Sequence, residues 1–203
     1  MGLATARSNL GGGDDPTHNP INRSDSKVPG VYSDYKLSSD GKDVESITYD
    51  ITKDQNQLNI AKAALKANPD LYFEGFSNSA PYFMTKTGCT SGGGTVNSDG
   101  TVTSNGNLNN LNDDMYDEFA KFIADATKLF KDNGIEFKSY SPMNEPDTDY
   151  WGYGSLKQEG CHFDPGTSQS KMITETRKAL DNAGFADVLV AGMDETILKK
   201  TAN

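Results

Sequence analysis

The 203-residue chain has few of the residues that bind metals, with two histidines and two cysteines. Neither Cys89 nor Cys161 has a second Cys or His at zinc-ligand spacing, since His162 is adjacent to Cys161 rather than spaced from it. We therefore expect no metal and no cofactor. The two cysteines lie in loops that we place on one face, and the residues alone leave open a disulfide bond or two free thiols.

Positive charge and long apolar runs are also scarce. The chain has 19 Lys and Arg against 29 Asp and Glu, which gives a net charge of −10. This balance argues against a nucleic-acid partner or an anionic membrane surface. No run approaches the roughly 18 apolar residues of a membrane-spanning helix, and no basic-then-apolar leader opens the chain. A neutral glycan is compatible with this charge.

Strand and helix patterns alternate along most of the chain. The predicted helices cover 54–67, 113–133 and 168–183, and the predicted strands cover 1–9, 71–75, 135–140 and 188–191. The run 188–191 is apolar throughout, which is typical of a parallel strand buried on both faces. Asn112 or Asp113 is expected to cap the second helix, and Gly134 to end it in the left-handed conformation.

Two polar stretches show no clear period. Residues 16–49 are long for a connection, so we predict a functional loop or a partly disordered segment. Within it, Tyr32 and Tyr35 are candidates either for stacking on a substrate or for covering the underside of the loop, while His18 receives no role. Residues 87–108, rich in Gly, Ser, Thr and Asn, are predicted to form a loop.

The alternation of strands and helices predicts an α/β fold, with long loops after the strands. This pattern is typical of part of a (β/α)₈ barrel, in which the active site lies at the carboxyl ends of the strands. Four strands out of eight are recognisable.

The stretch 139–151, SYSPMNEPDTDYW, carries the strongest chemical signal. Its two prolines end the preceding strand in a turn, which places Asn144 and Glu145 at the carboxyl end of that strand. A carboxylic acid there can protonate a leaving oxygen, and a neighbouring amide can bind a sugar hydroxyl. The rings of Tyr150 and Trp151 offer apolar faces to a pyranose. Taken alone, the short Asn-Glu-Pro motif is equally compatible with a solvated glutamate in a turn.

The longer segment 141–161, SPMNEPDTDYWGYGSLKQEGC, resembles the acid/base loop of glycoside hydrolase family 30, in particular its endo-β-1,6-galactanase-like members. Other segments that match in the same order are SNLGGGDDP (8–16), NPDLYFEGFSNSAPYFMTKTG (68–88), NLNN (107–110) and VLVAGMDET (188–196). The resemblance implies that residues 1–203 form part of the catalytic barrel, about strands 2 to 5. The first strand, the last three strands and the β-sandwich of the family would lie outside these residues.

The resemblance also implies a catalytic role for three residues. Glu145 would be the acid/base, Asn144 its neighbouring amide, and Arg7 the group that keeps the nucleophile ionised. The nucleophile would be a glutamate at the end of the seventh strand, beyond residue 203. The implied substrate-binding residues are Asn78, Tyr82, Phe83, Tyr150, Trp151 and Asp194.

Structural alternatives stay open for several of these residues. Arg7 could be an ordinary surface arginine, and Tyr82 and Phe83 could be buried. Related sequences often carry Trp where this chain has Phe83, which makes stacking there less certain. Glu195 is expected to bind substrate or to form an exposed loop end rather than to act as the nucleophile, and Glu159 to structure its loop or to line a subsite.

The activity implied by the resemblance is that of a retaining, endo-acting β-glycanase, secreted or extracellular, with a polysaccharide or oligosaccharide as partner. The leading substrate is β-1,6-galactan, and xylan and β-1,6-glucan are the alternatives within the family. Because the nucleophile is expected elsewhere, residues 1–203 alone should be inactive. A non-catalytic glycan-binding fragment is the alternative from another class.

Overall fold

The computed structural model describes residues 3–13, 28–155, 158–192 and 194–195. The strands are β1 (Thr5–Asn9), β2 (Tyr32–Leu37), β3 (Val44–Tyr49), β4 (Tyr72–Phe76), β5 (Gly94–Val96), β6 (Val102–Ser104), β7 (Ser139–Ser141) and β8 (Leu189–Val190). The α-helices are α1 (Gln55–Ala67), α2 (Tyr116–Asp132) and α3 (Thr167–Asn182). Within the described ranges, no helix is long and apolar enough to span a bilayer.

The central sheet contains β1, β4, β7 and β8 in chain order, and every neighbouring pair is parallel. Helix α1 lies between β1 and β4 in the chain, α2 between β4 and β7, and α3 between β7 and β8. The predicted α/β alternation with four parallel strands is therefore confirmed. The helices α2 and α3 pack against each other on one side of this sheet.

The other side of the sheet is largely uncovered among the described residues. Arg7, Glu74, Ser139 and Leu189 lie side by side in register across it. Leu189 is 65% exposed. The expectation that the last strand is buried on both faces is thus wrong, because no described residue covers β8 on the side opposite α3.

The core is centred on α2, where a stripe of apolar side chains faces the sheet and α3. The fully buried members of this stripe are Phe119, Phe122, Ile123, Ala126 and Phe130. Their spacing of three and four residues is what predicts the helix from the sequence.

The ends of α2 confirm one expectation and correct another. Gly134 has φ 88° and its N–H donates to the carbonyl of Lys131, as expected for a left-handed C-terminal residue. The N-cap is Met115, without a side-chain hydrogen bond, so the proposed capping by Asn112 or Asp113 is wrong. Asp113 instead accepts a hydrogen bond from Lys86 Nζ at 2.8 Å.

Two stretches predicted as loops contain antiparallel hairpins. In 16–49, β2 pairs with β3 through an irregular register, which hides the two-residue period of a strand. Tyr35 stacks on Phe83 with ring centroids 3.9 Å apart, and Tyr32 packs edge-on against Phe83 and Phe122. These tyrosines therefore cover the underside of the segment. Residues 14–27, with His18, lie outside the described residues.

The second correction concerns 87–108, where β5 pairs with β6. Each strand has only three residues, too few for a periodic signal.

A polar contact joins α1 to the end of β1. The Gln57 side chain donates to the Asp54 carboxylate at 2.5 Å and to the carbonyl of Asn9 at 2.9 Å. Asp54 is 4% exposed, and burial raises its pKa to about 6, partly opposed by the hydrogen bonds from Gln57. In an unfolded chain an Asp has a pKa of about 3.9. The stabilisation from the protonated form is therefore complete below about pH 4 and is lost as the pH rises through about 6.

We expect Asp54→Asn to stabilise the chain at pH 7.5 by about 1 kcal/mol, because the amide keeps an acceptor for Gln57 without a buried charge. The gain should vanish near pH 3.5. Urea unfolding at both pH values measures it. Asp50→Asn is the matched control of opposite sign, since hydrogen bonds from Thr52 lower the pKa of Asp50. Equal effects of the two substitutions at pH 7.5 would contradict the burial argument.

Candidate active site

The residues predicted to form the site lie in or just after the four parallel strands. Arg7 belongs to β1, Asn78 follows β4, Glu145 follows β7 and Asp194 follows β8. Because the carboxyl ends of parallel strands meet at one edge of a sheet, the fold brings these groups to the same end.

The backbone of Glu145 is fixed in an uncommon conformation. Among the described residues, Glu145 is the one non-glycine residue with a positive φ, at 48°. Its N–H donates to the carbonyl of Asp194 at 2.8 Å. Its carbonyl accepts hydrogen bonds from Trp151 Nε1 at 3.0 Å and from Thr148 Oγ1 at 2.8 Å. Three contacts thus hold a left-handed residue that is otherwise disfavoured by about 1–3 kcal/mol.

The Glu145 carboxylate is half-buried and has an aromatic hydroxyl as its partner. Tyr150 donates its O–H to Glu145 Oε2 at 2.5 Å. The Tyr150 ring is 42% exposed and lies edge-on to Trp151, with centroids 4.5 Å apart. This arrangement holds the carboxyl group at the surface of the strand end, where a substrate can reach it.

A charged cluster lies beside Glu145 at the strand ends. Arg7 Nε contacts Glu74 Oε1 at 2.6 Å, and Arg7 Nη2 contacts Asp194 Oδ2 at 2.6 Å. The guanidinium also lies over the Phe76 ring, 4.1 Å from its centroid. Ser139 donates to Glu74 Oε2 at 3.1 Å. Arg7 is therefore part of a built network that connects β1 to β8, rather than an isolated surface arginine.

Sequence reasoning missed Glu74 as a member of this cluster. The available signal is a charged residue inside the apolar strand YFEGF, on the same face as Tyr72 and Phe76. Its significance depends on the register that places it opposite Arg7, which the sequence does not show.

Asn144 is joined to the same cluster through the backbone. It forms a parallel β-bridge with Asp194, next to the hydrogen bond between Glu145 and Asp194. Asn144 therefore pairs with Asp194 three residues beyond the end of β7, in the same register as β7 and β8.

The other predicted substrate-binding residues differ in their exposure. Phe83 is 8% exposed and its ring is covered by Tyr35. Trp151 is 1% exposed, and its indole packs on the backbone of Gly160, where a Cβ would collide with the ring. Both rings therefore support the site from beneath, which favours the packing alternative for Phe83.

Asn78 and Tyr82 are placed differently, since both are half-buried. Asn78 Oδ1 is buried and has no hydrogen-bond partner among the described residues. A buried amide oxygen without a partner is costly, so this atom is suited to accept a hydrogen bond from a ligand.

Two further glutamates hold loops in place. Glu159 is 1% exposed and accepts a hydrogen bond from the N–H of Gly12 at 3.2 Å, which ties its loop to the turn after β1. Glu195 accepts a hydrogen bond from the N–H of Asp147 at 2.6 Å. Both contacts are structural.

Grooves on the helical side do not mark this site. A groove of about 430 Å³ lies between α2 and α3, and one of about 240 Å³ lies between β3 and α2. Neither is lined by the predicted site residues. In the part of the chain that the structure describes, no group of three His, Cys, Asp or Glu side chains is arranged to hold a metal ion.

Comparison with known families gives the decisive observation. The family model described as O-glycosyl hydrolase family 30 matches residues 1–191. The chain belongs to glycoside hydrolase family 30.

The names of two curated relatives of this family 30 chain refer to enzymes that act on β-1,6-linked galactose. It is 30% identical over 177 residues to an exo-β-1,6-galactobiohydrolase of Bifidobacterium longum subsp. longum, covering 75% of this chain and 11% of that protein. It is 31% identical over 170 residues to an endo-β-1,6-galactanase of Hypocrea rufa, covering 83% of this chain and 31% of that protein. The chain thus spans less than a third of either relative.

Two solved structures have a fold similar to that of this chain. A conserved exported protein from Bacteroides fragilis superimposes with a TM-score of 0.74 and 27% identity, over 97% of this chain and 35% of that one. The catalytic domain of the family 30 xylanase C from Talaromyces cellulolyticus superimposes with a TM-score of 0.69 and 18% identity, over 99% of this chain and 39% of that one. The family 30 chain therefore shares its α/β fold with more than a third of each of these two structures.

Proposed function

We propose that this chain carries the acid/base half of the active site of a retaining glycoside hydrolase, with Glu145 as the acid/base. The observation that supports this most strongly is that Glu145 lies at the carboxyl end of a parallel strand in a family 30 chain. Its backbone is held by Asp194, Thr148 and Trp151, while Tyr150 holds its carboxyl group at the open strand end.

We also propose that residues 1–203 are part of the catalytic barrel and supply about strands 2 to 5. The face of the sheet that carries Arg7, Glu74 and Leu189 is uncovered, and the described residues add no further strand beyond β1 or β8. In a closed barrel, this face becomes the interior and both edges are paired. The first strand, the last three strands and the β-sandwich would come from the rest of the protein.

The proposed mechanism uses two carboxyl groups about 5–5.5 Å apart. In the first step, the protonated Glu145 gives its proton to the glycosidic oxygen while the nucleophile attacks the anomeric carbon. In the second step, the Glu145 carboxylate takes a proton from water, which displaces the nucleophile. The nucleophile is proposed to lie beyond residue 203, since Asp194 pairs with Arg7 and Glu195 accepts a hydrogen bond from a loop amide.

Arg7 and Asn144 are proposed to assist these steps. Arg7 places a positive charge at the strand ends, where it would favour the ionised form of an incoming nucleophile carboxylate. Asn144 would hold a sugar hydroxyl beside Glu145, which fixes the direction from which the proton is delivered.

The proposed substrate is a β-1,6-linked galactan, cut from within the chain, outside the cell. Support comes from the names of the two curated relatives, with xylan and β-1,6-glucan as the alternatives within the family. The exposed Tyr150 ring would contact the sugar, and the free oxygen of Asn78 would accept a hydroxyl hydrogen bond. Asp194 and Tyr82 complete the proposed binding surface, with Trp151 and Phe83 beneath it.

The test is hydrolysis of β-1,6-galactan by the full-length protein and, separately, by residues 1–203. Proton NMR of the first products should show the β-anomer with the full-length protein and no product with the segment. Initial release of the α-anomer would contradict retention. Galactan binding by the full-length protein without hydrolysis would instead support a non-catalytic glycan-binding protein.

A second expectation concerns the Tyr150 hydroxyl. In the full-length protein, Tyr150→Phe should lower kcat on galactan by about 10-fold, because the proton donor is no longer held in line with the leaving oxygen. On an aryl galactoside with a good leaving group, the loss in kcat/KM, which reports the first step, should be less than about twofold, since that group needs no proton. A merely structural role of Tyr150 would lower both rates equally, and Tyr153→Phe in the same loop is the matched control.

A further inference from the structure

The two cysteines lie in separate loops that meet behind the candidate site. Cys89 follows the 3₁₀ turn Tyr82–Met84, and Cys161 ends the loop that contains Trp151. Both side chains are buried, with 0% and 1% exposure, and both are free thiols in the structure.

The backbone brings the two cysteines to the same place. The N–H of Gly160 donates to the carbonyl of Thr90 at 2.9 Å, so the residue before Cys161 is bonded to the residue after Cys89. This contact brings the segments that contain Cys89 and Cys161 next to each other. Three residues further along, the N–H of Gly93 donates to the carbonyl of Trp151 at 2.9 Å, which continues the contact between the loops.

Asn110 touches both cysteines from a third segment. Its side-chain amide donates to the carbonyl of Cys89 at 2.8 Å. Its backbone amide, with that of Leu111, faces the sulfur of Cys161. A disulfide requires a short separation of the two Cα atoms, and this shared neighbour and the contact between Gly160 and Thr90 bring the two cysteine segments together.

We propose that Cys89 and Cys161 form a disulfide bond under oxidising conditions, and that this bond ties the loop after β4 to the loop that carries Trp151. The reaction with glutathione disulfide is balanced. One cysteine thiolate attacks glutathione disulfide and releases one glutathione, and the second cysteine displaces the other glutathione as the Sγ–Sγ bond forms. The two cysteines lose two electrons and two protons, and two glutathione molecules are produced.

Burial raises the pKa of Cys161 to about 12, only partly offset by the amides of Asn110 and Leu111. Cys89 is buried as well, and its Sγ accepts a hydrogen bond from the N–H of Ser91 at 3.3 Å. Because exchange requires an accessible thiolate, the reaction should be slow once the protein has folded.

To test this, residues 1–203 and the full-length protein are each equilibrated with glutathione, in buffer and in 8 M urea. Free thiols are then blocked, and the peptides are mapped without reductant. We expect a linked peptide pair containing Cys89 and Cys161. The effective concentration of the second thiol should be at least about 100-fold higher in buffer than in urea. In urea the two cysteines are joined only by a flexible loop, which sets that concentration.

Two controls make the result decisive. Cys89→Ser and Cys161→Ser should each abolish the linked peptide pair, since only one cysteine remains. The oxidised protein should melt about 10 °C above the double Ser variant, because the bond closes a loop of about 70 residues. Two blocked thiols or two glutathione adducts in folded full-length protein would overturn the proposal. The outcome does not depend on glycosidase activity, since the inference rests on loop contacts alone.

Discussion

Replacing Glu145 by Gln in the full-length protein should lower kcat on β-1,6-galactan by about 10²–10⁴-fold, the usual contribution of a general acid. The amide has nearly the same shape and can still accept the Tyr150 hydrogen bond, but it has no proton to give to the leaving oxygen. Initial-rate measurements over a range of galactan concentrations separate this effect from binding, because KM should change much less than kcat.

The comparison between leaving groups makes this expectation specific. Glu145→Gln should be far less damaging in the first step with an aryl galactoside, and added azide should accelerate the second step, where a base is otherwise needed. Glu136→Gln is the control, since Glu136 is an exposed glutamate paired with Lys138 outside the site. Wild-type turnover of galactan by Glu145→Gln would remove Glu145 from the acid/base role.

Truncation of Phe119 to Ala should destabilise the protein by about 3–5 kcal/mol, the cost of a large cavity at a fully buried aromatic position. Phe119 is 0% exposed and lies in the centre of the α2 stripe beside Phe122. Because this amount is a large fraction of the stability of an ordinary domain, the isolated segment should lose its cooperative unfolding transition.

Urea unfolding followed by circular dichroism measures this loss, on the full-length protein and on residues 1–203. Ile60→Ala is the matched control, since Ile60 is 71% exposed on α1 and its truncation should change the free energy of unfolding by less than about 0.5 kcal/mol. Similar effects of the two substitutions would show that α2 is not the centre of the core.

The main framework of the fold follows from the sequence because its elements have strong local signals. The stripe of α2 repeats every three or four residues, and glycines mark its end and the end of α3. The hairpins lack such signals. β2–β3 has an irregular register, and its tyrosines face Phe83 and Phe122 from a segment that is otherwise polar. Its burial is decided by a helix some 80 residues further along the chain.

The candidate site likewise contains residues that the sequence indicates and residues that only the fold brings together. The motif around Glu145 is visible in the sequence because its residues are neighbours in the chain. Glu74 is not, since its meaning comes from the register between β1 and β4. The burial of Trp151 also cannot be deduced locally, because it depends on the approach of Gly160 from another part of the loop.

The left-handed backbone of Glu145 allows the effect of side-chain chemistry on activity to be separated from the effect of backbone conformation on stability. Unbranched residues with a Cβ have a similar steric conflict at φ 48°, so Gln and Ala inherit the conformational cost of the wild-type residue. Gly releases it fully, because it has no Cβ. A series of substitutions at this position therefore compares side-chain chemistry on a constant backbone, and Glu145→Gly should be the one inactive variant that is at least as stable as the natural protein. Position 145 holds a glutamate where the backbone by itself favours glycine.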